Sequence, residues 1–80
     1  MSTIIAVLPD QSHIGTLPAL TIVSMIQQAV NNFDGTPREF VLSPKQFSLI
    51  DTAVIGQITR ATGLECVPGM EAEDFEIIVR

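Results

Sequence analysis

Arg38-Glu-Phe-Val-Leu-Ser-Pro-Lys-Gln-Phe47 holds the transition that sets the fold of this 80-residue chain. Arg38–Leu42 reads as a short strand, with Phe40, Val41 and Leu42 apolar in succession. Ser43-Pro44-Lys45-Gln46 then reads as a helix start. Serine stands at the N-cap, proline at the first helical position and glutamine at the third, as in a capping box. Phe47, Ile50, Val54, Ile58 and Ala61 follow on one helical face. Gly56 weakens this helix by ~1 kcal/mol relative to alanine. Asp51 falls near the apolar stripe. Two shorter helices with a break around Asp51-Thr52 therefore stay open as an alternative to one helix over 44–62. Gly63 fits the residue just past the helix end.

On the N-terminal side, Thr3–Leu8 is a continuous apolar run with β-branched residues, stopped by Pro9-Asp10. That is the pattern of a strand buried on both faces. A polar loop over 10–15 carries the one histidine, His13. A helix is expected from about Leu17 to Phe33, with Thr16 as N-cap and Pro18 in the first turn. Ala19, Ile22, Val23, Ile26, Ala29, Val30 and Phe33 make its apolar stripe. Asp34-Gly35 stops it, with Gly35 suited to a left-handed cap. On the C-terminal side, Leu64–Val67 is a short strand, Pro68–Asp74 an acidic loop and Phe75–Val79 a final strand.

The expected order is β-α-β-α-β-β over one domain, residues 1–80. The class is α+β, a small two-layer sandwich with about four strands and two helices. Strands joined through helices are expected to be parallel where they pair. The last two strands are expected to form an antiparallel hairpin.

The composition is apolar and poor in charge. Hydrophobic residues make up 46% and charged residues 16%, with four basic and nine acidic residues and a net charge of −5. Disordered chains have the opposite profile. Four cations cannot neutralise many phosphates, which argues against nucleic-acid binding and against an anionic membrane surface. No apolar run approaches the roughly 18–20 residues of a membrane span. The N-terminus lacks a basic region before Ile4–Leu8, unlike a secretory signal. One cysteine excludes an intramolecular disulfide and fits a reducing, cytoplasmic setting.

The first and last strands carry apolar residues at consecutive positions, so both faces of the sheet require cover. Either the helices split between the faces or a partner covers one of them. Leaving several aliphatic side chains wet would forfeit roughly 1.5–3 kcal/mol each. A homo-oligomer is therefore expected, a two-fold dimer first. The outer face of the first helix points the same way. Thr21, Ser24, Gln27, Gln28, Asn31 and Asn32 are polar but uncharged, and Leu20 and Met25 flank the stripe. An ordinary solvated face usually carries Lys and Glu, whereas interface cores are depleted of charge. Leu20, Ser24, Met25, Gln28 and Asn31 are the candidate interface, together with the apolar strands.

Candidates for chemistry are few. His13, with Asp10 nearby, has the makings of a general base or a phosphate acceptor. The simpler reading is a loop histidine in solvent or capping the following helix. Gly15-Thr16-Leu17-Pro18-Ala19, between an apolar strand and a helix, is similar to the start of the active-site helix in histidine-containing phosphocarriers of the sugar phosphotransferase system. That family's phosphorylated histidine falls at Gly15 and its arginine at Leu17, so the function does not carry over. Cys66 has acidic and no basic neighbours, so it reads as a small buried residue rather than a nucleophile. Glu65, Glu71, Glu73, Asp74 and Glu76 crowd one short segment, yet their spacing does not match a calcium loop. The acidic patch Glu71, Glu73, Asp74 and Glu76 reads as a solvated loop or as a surface for a basic partner. The glycines are isolated, so there is no phosphate-binding loop. No catalytic residues, metal or cofactor are assigned.

Residues 38–79, from Arg38-Glu-Phe-Val-Leu-Ser-Pro-Lys-Gln-Phe through Gly63-Leu-Glu-Cys-Val-Pro-Gly-Met70 to Val79, resemble a segment of small tailed-phage proteins of capsid or accessory type. In that segment an apolar strand runs into Ser-Pro, then a helix, a glycine, a strand, a Pro/Met loop and a final strand. The resemblance implies a phage- or prophage-encoded accessory protein, virion-associated in that case, and transfers no catalytic residue. The expected function is a non-enzymatic, self-associating protein-protein interaction module. Alternatives are an inhibitor using the acidic loop 71–76 and a small enzyme or carrier using His13.

Overall fold

The computed structural model describes residues 3–8 and 14–80. The elements are β1 (Ile4–Val7), a 3₁₀ turn (Ile14–Thr16), α1 (Ala19–Asn31), β2 (Glu39–Leu42), α2 (Pro44–Leu49), α3 (Thr52–Thr62), β3 (Glu65–Pro68) and β4 (Glu76–Val79). They form the expected small α+β fold, with a four-stranded mixed sheet and three helices.

The strand order is β1-β4-β2-β3. β2 and β3 are parallel, as a helical connection requires. β4 runs antiparallel to both its neighbours, β1 and β2. The expected β3–β4 hairpin is therefore overturned, and β4 is not an outer strand. The physical reason lies in the side chains. Ile77, Ile78 and Val79 are all buried, so β4 needs a strand on each side and cover on each face. Glu65 and Pro68 of β3 are exposed and suit an edge.

The register separates two layers. Ile4, Val79, Phe40 and Cys66 lie in one row across the sheet, and Ala6 pairs with Ile77 in a neighbouring row. These residues face the helices and form the main core with Ile22, Ile26 and Ala29 of α1 and Ile58 of α3. All three helices thus cover one face. On the opposite face, Ile5, Ile78, Val41 and Val67 form the alternating row. The β3–β4 connection crosses that face and packs Ala72 on Val41 and Ile78. The second face is covered in its middle by a loop, not by a helix.

Local chemistry explains the helix ends. The Ser43 hydroxyl accepts from the Gln46 N–H at 3.1 Å, and Pro44 sits in the first turn. The Gln46 side chain donates to the carbonyl of Asp74 and so pins the crossing loop. The segment 44–62 is two helices. Ile50 takes an extended ψ of 140°, and Asp51 caps α3 by accepting from the Ala53 N–H at 2.8 Å. Gly63 closes α3 at φ 76°, in the left-handed region. α1 is shorter than its pattern. Pro18, at ψ 146°, is the N-cap in place of Thr16, which lies in the 3₁₀ turn. Asn32, not Gly35, is the C-cap, and its side chain donates to the Gln28 carbonyl at 3.0 Å.

Two glycines give opposite expectations. A Cβ at Gly56 in α3 would meet nothing within 4 Å. A Cβ at Gly69 would lie 2.6 Å from Val41 Cγ1 and against Glu71 Oε1. Gly56→Ala should stabilise the fold by about 0.5–1 kcal/mol in urea denaturation. Gly69→Ala should destabilise it by about 1–3 kcal/mol, because the loop must lift off β2.

Candidate functional site

A charge-free stretch of the described structure lies where α1 meets β1. Neither element contains Asp, Glu, Lys or Arg. α1 lies on the helical face of the sheet against both β1 and α3. The Gln27 side chain donates to the Ala61 carbonyl at 3.1 Å and ties α1 to α3. Gln27 therefore faces a neighbouring helix, although its polarity suggested solvent.

The opposite flank of α1 overhangs β1. Between them runs an open groove of about 260 Å³, lined by Ile4–Val7 of β1 and by Met25, Gln28, Ala29 and Asn32 of α1. Met25 and Gln28, chosen from the sequence, line this groove. Leu20, Ser24 and Asn31 are exposed on the adjoining arc of the same helix. Leu20 is 80% exposed. The five sequence-chosen residues thus form a band from the crest of α1 down into the groove.

β1 extends the band. Ile5 is 52% exposed and Val7 55% exposed, on the sheet face away from the helices. No described strand pairs with the outer side of β1. The apolar run Ile4–Leu8 identified the strand, but only the insertion of β4 makes it an edge. A pattern within β1 could not show that.

The acidic patch is organised by its own contacts. Arg80 pairs with Glu39 at 2.6 Å and with Glu71 at 2.8 Å, joining β2, β4 and the crossing loop. Glu76 accepts from the Glu73 N–H at 3.1 Å. Glu73 and Asp74 are exposed. Glu71's own backbone N–H, with help from Arg80, holds its carboxyl below the ordinary 4.5. Among the described residues, no three His, Cys, Asp or Glu side chains come together to hold a metal ion. Cys66 is half-buried in β3, facing the helices, and burial pushes its thiol up to about 12. The readings of His13 and Asp10 fall outside the described residues. No family model, curated protein or solved structure gives a significant match to this chain. Among the described residues, no helix is long and apolar enough to cross a membrane.

Two expectations follow from these groups. A thiol raised from 9.0 to about 12 carries little thiolate at mildly alkaline pH. Cys66 should react with a disulfide reagent roughly a hundredfold more slowly than a free thiol, with the full rate returning in denaturant. Glu71 has a folded pKa below its unfolded one, so its contribution is present above 4.5 and lost as pH falls through the folded value. The melting temperature of the parent should exceed that of Glu71→Gln near neutral pH. The gap should close on acidification below 4.5; a gap that widened there would contradict the assignment.

Proposed function

We propose that this chain is a small non-enzymatic protein-protein interaction module that self-associates as a homodimer through the surface of α1 and β1. The observation that carries this reading is the segregation of charge. The molecule has a net charge of −5, yet none of its carboxylates lies on α1 or β1. Two copies can meet there without opposing like charges, and interface cores favour such depletion. Leu20 on α1 and Ile5 and Val7 on β1 are exposed apolar side chains that would gain from cover. The resemblance over residues 38–79 supports a setting for the module: a phage- or prophage-encoded structural or accessory protein, acting in the cytoplasm or in a virion.

A second reading rests on the exposed carboxylates of Glu73 and Asp74, which would let the crossing loop occupy a basic site on another protein. Binding of that kind would weaken steeply with salt and with charge reversal at those two residues. Self-association through α1 and β1 would not weaken under either change, because both reduce the repulsion between two copies of net charge −5.

Light scattering after size exclusion provides the test. The expected mass is twice the 8.7 kDa of the chain. Met25→Lys should shift the protein towards monomer with an unchanged circular dichroism spectrum, and Leu20→Lys should weaken the dimer. A parent protein that stays monomeric at millimolar concentration overturns the proposal.

A further inference from the structure

The outer edge of β1 has a hydrogen-bonding pattern that fits a second copy of itself. Leu8 N–H donates to the Phe75 carbonyl at 2.8 Å, which makes Leu8 and Phe75 a hydrogen-bonded pair of the antiparallel β1–β4 ladder. Such pairs alternate along a ladder. Ala6 and Ile4 therefore bond inward to Ile77 and Val79, and Ile5 and Val7 turn their N–H and C=O groups outward. Those outward groups face the side of β1 where no described strand pairs.

The two edges of the sheet differ in how they discourage a further strand. β3 carries an exposed acid, Glu65, and ends on Pro68, which has no N–H to donate. Charge and proline are common means of blocking edge pairing. β1 has neither, and it presents apolar β-branched residues instead.

We infer that two copies pair antiparallel through β1, about a two-fold axis at Ala6, and so join their sheets into one. This rests on the self-association proposed above and specifies its geometry. In this register Ile5 lies opposite Val7 of the second copy, and Val7 opposite Ile5. Both are hydrogen-bonded pairs, with two bonds each. On the open face, apolar β-branched side chains then stand directly opposite one another, a favourable cross-strand pairing. On the other face, the axis brings the two α1 helices side by side. The groove residues Met25, Gln28 and Asn32 line that approach and carry no charge. Ala6, at the axis, presents only a methyl group between the helices.

A second copy suits this edge better than an acidic or basic strand from elsewhere. Among the described residues, the groove lining has no charged group to pair with such a strand. The register is also self-complementary, each outward residue meeting an outward residue of the same kind.

Cross-linking reads the register directly. In a hydrogen-bond-free pair the Cα atoms lie about 4.5 Å apart, within the roughly 4.4–6.8 Å span of a disulfide. In a Cys66→Ser background, Ala6→Cys should give a covalent dimer on mild oxidation, and Ser24→Cys should not. Val7→Pro removes an outward N–H and spares the β1–β4 ladder. It should raise the dimer dissociation constant at least tenfold with the fold retained by circular dichroism. A dimeric parent in which Ser24→Cys cross-links and Ala6→Cys does not would overturn edge pairing and leave self-association standing. A monomeric parent overturns both. Should Val7→Pro fail to fold, the cross-linking pattern still decides.

Discussion

β4 sits between β1 and β2 with apolar side chains on both of its faces, and most of the architecture follows from that placement. Ile77 and Val79 belong to the helix-covered core, and Ile78 belongs to the small cluster beneath the crossing loop. A strand with this burial cannot lie at an edge, because its backbone and both faces need partners. Once it is central, β1 and β3 become the two edges. The chain leaving β3 must then step over β2 to reach β4. That step places residues 69–75 on the face the helices leave open. Gly69 lets the loop pass within contact of Val41, and its N–H donates to the Leu42 carbonyl at 2.9 Å.

The crossing is held at three points with different physics. Ala72 buries its methyl against Val41 and Ile78. The Gln46 amide reaches the Asp74 carbonyl from the helical segment. Arg80 bridges Glu71 and Glu39 at the surface. The last of these contributes little by itself, since exposed ion pairs are screened by water and salt. The amide contact is less exposed to water than the ion pairs, because Gln46 itself is buried. Gln46 thus has a role beyond the helix start: its backbone is capped by Ser43 while its side chain organises a loop far away in sequence.

Much of this was legible in the sequence, and the gaps have identifiable causes. The four strands, the Ser43 cap, the Gly63 stop and the class of fold follow from local pattern. Asp51 near the apolar stripe leaves one helix or two open over 44–62, and the Asp51 cap decides for two. Pairing was not legible, because strand order depends on which surfaces bury best together. The hairpin expected for β3 and β4 followed from chain proximity, and the burial of β4 overrode it. The α1 ends moved for a local reason: Pro18 keeps an extended ψ, and Asn32 closes the helix before Asp34 is reached. For the candidate site, the uncharged face of α1 was legible from Leu20 to Asn31. Its continuation onto Ile5 and Val7 depended on β1 becoming an edge.

The crossing loop also explains why the open face is covered incompletely. It reaches Val41, Ile78 and Val67 over the inner strands, but β1 lies one strand further out. Ile5 and Val7 are left about half exposed. At roughly 25 cal/mol per Å² of apolar area, each would contribute about 1 kcal/mol on being covered. That is a modest gain against the entropic cost of association. Apolar cover on this face is therefore insufficient to hold two molecules together. Ladder hydrogen bonds from Ile5 and Val7, and packing along the uncharged flank of α1, would have to act with it. All three lie on the same edge, and their combination there favours that edge over the crest of α1 alone as the place where a second copy would sit.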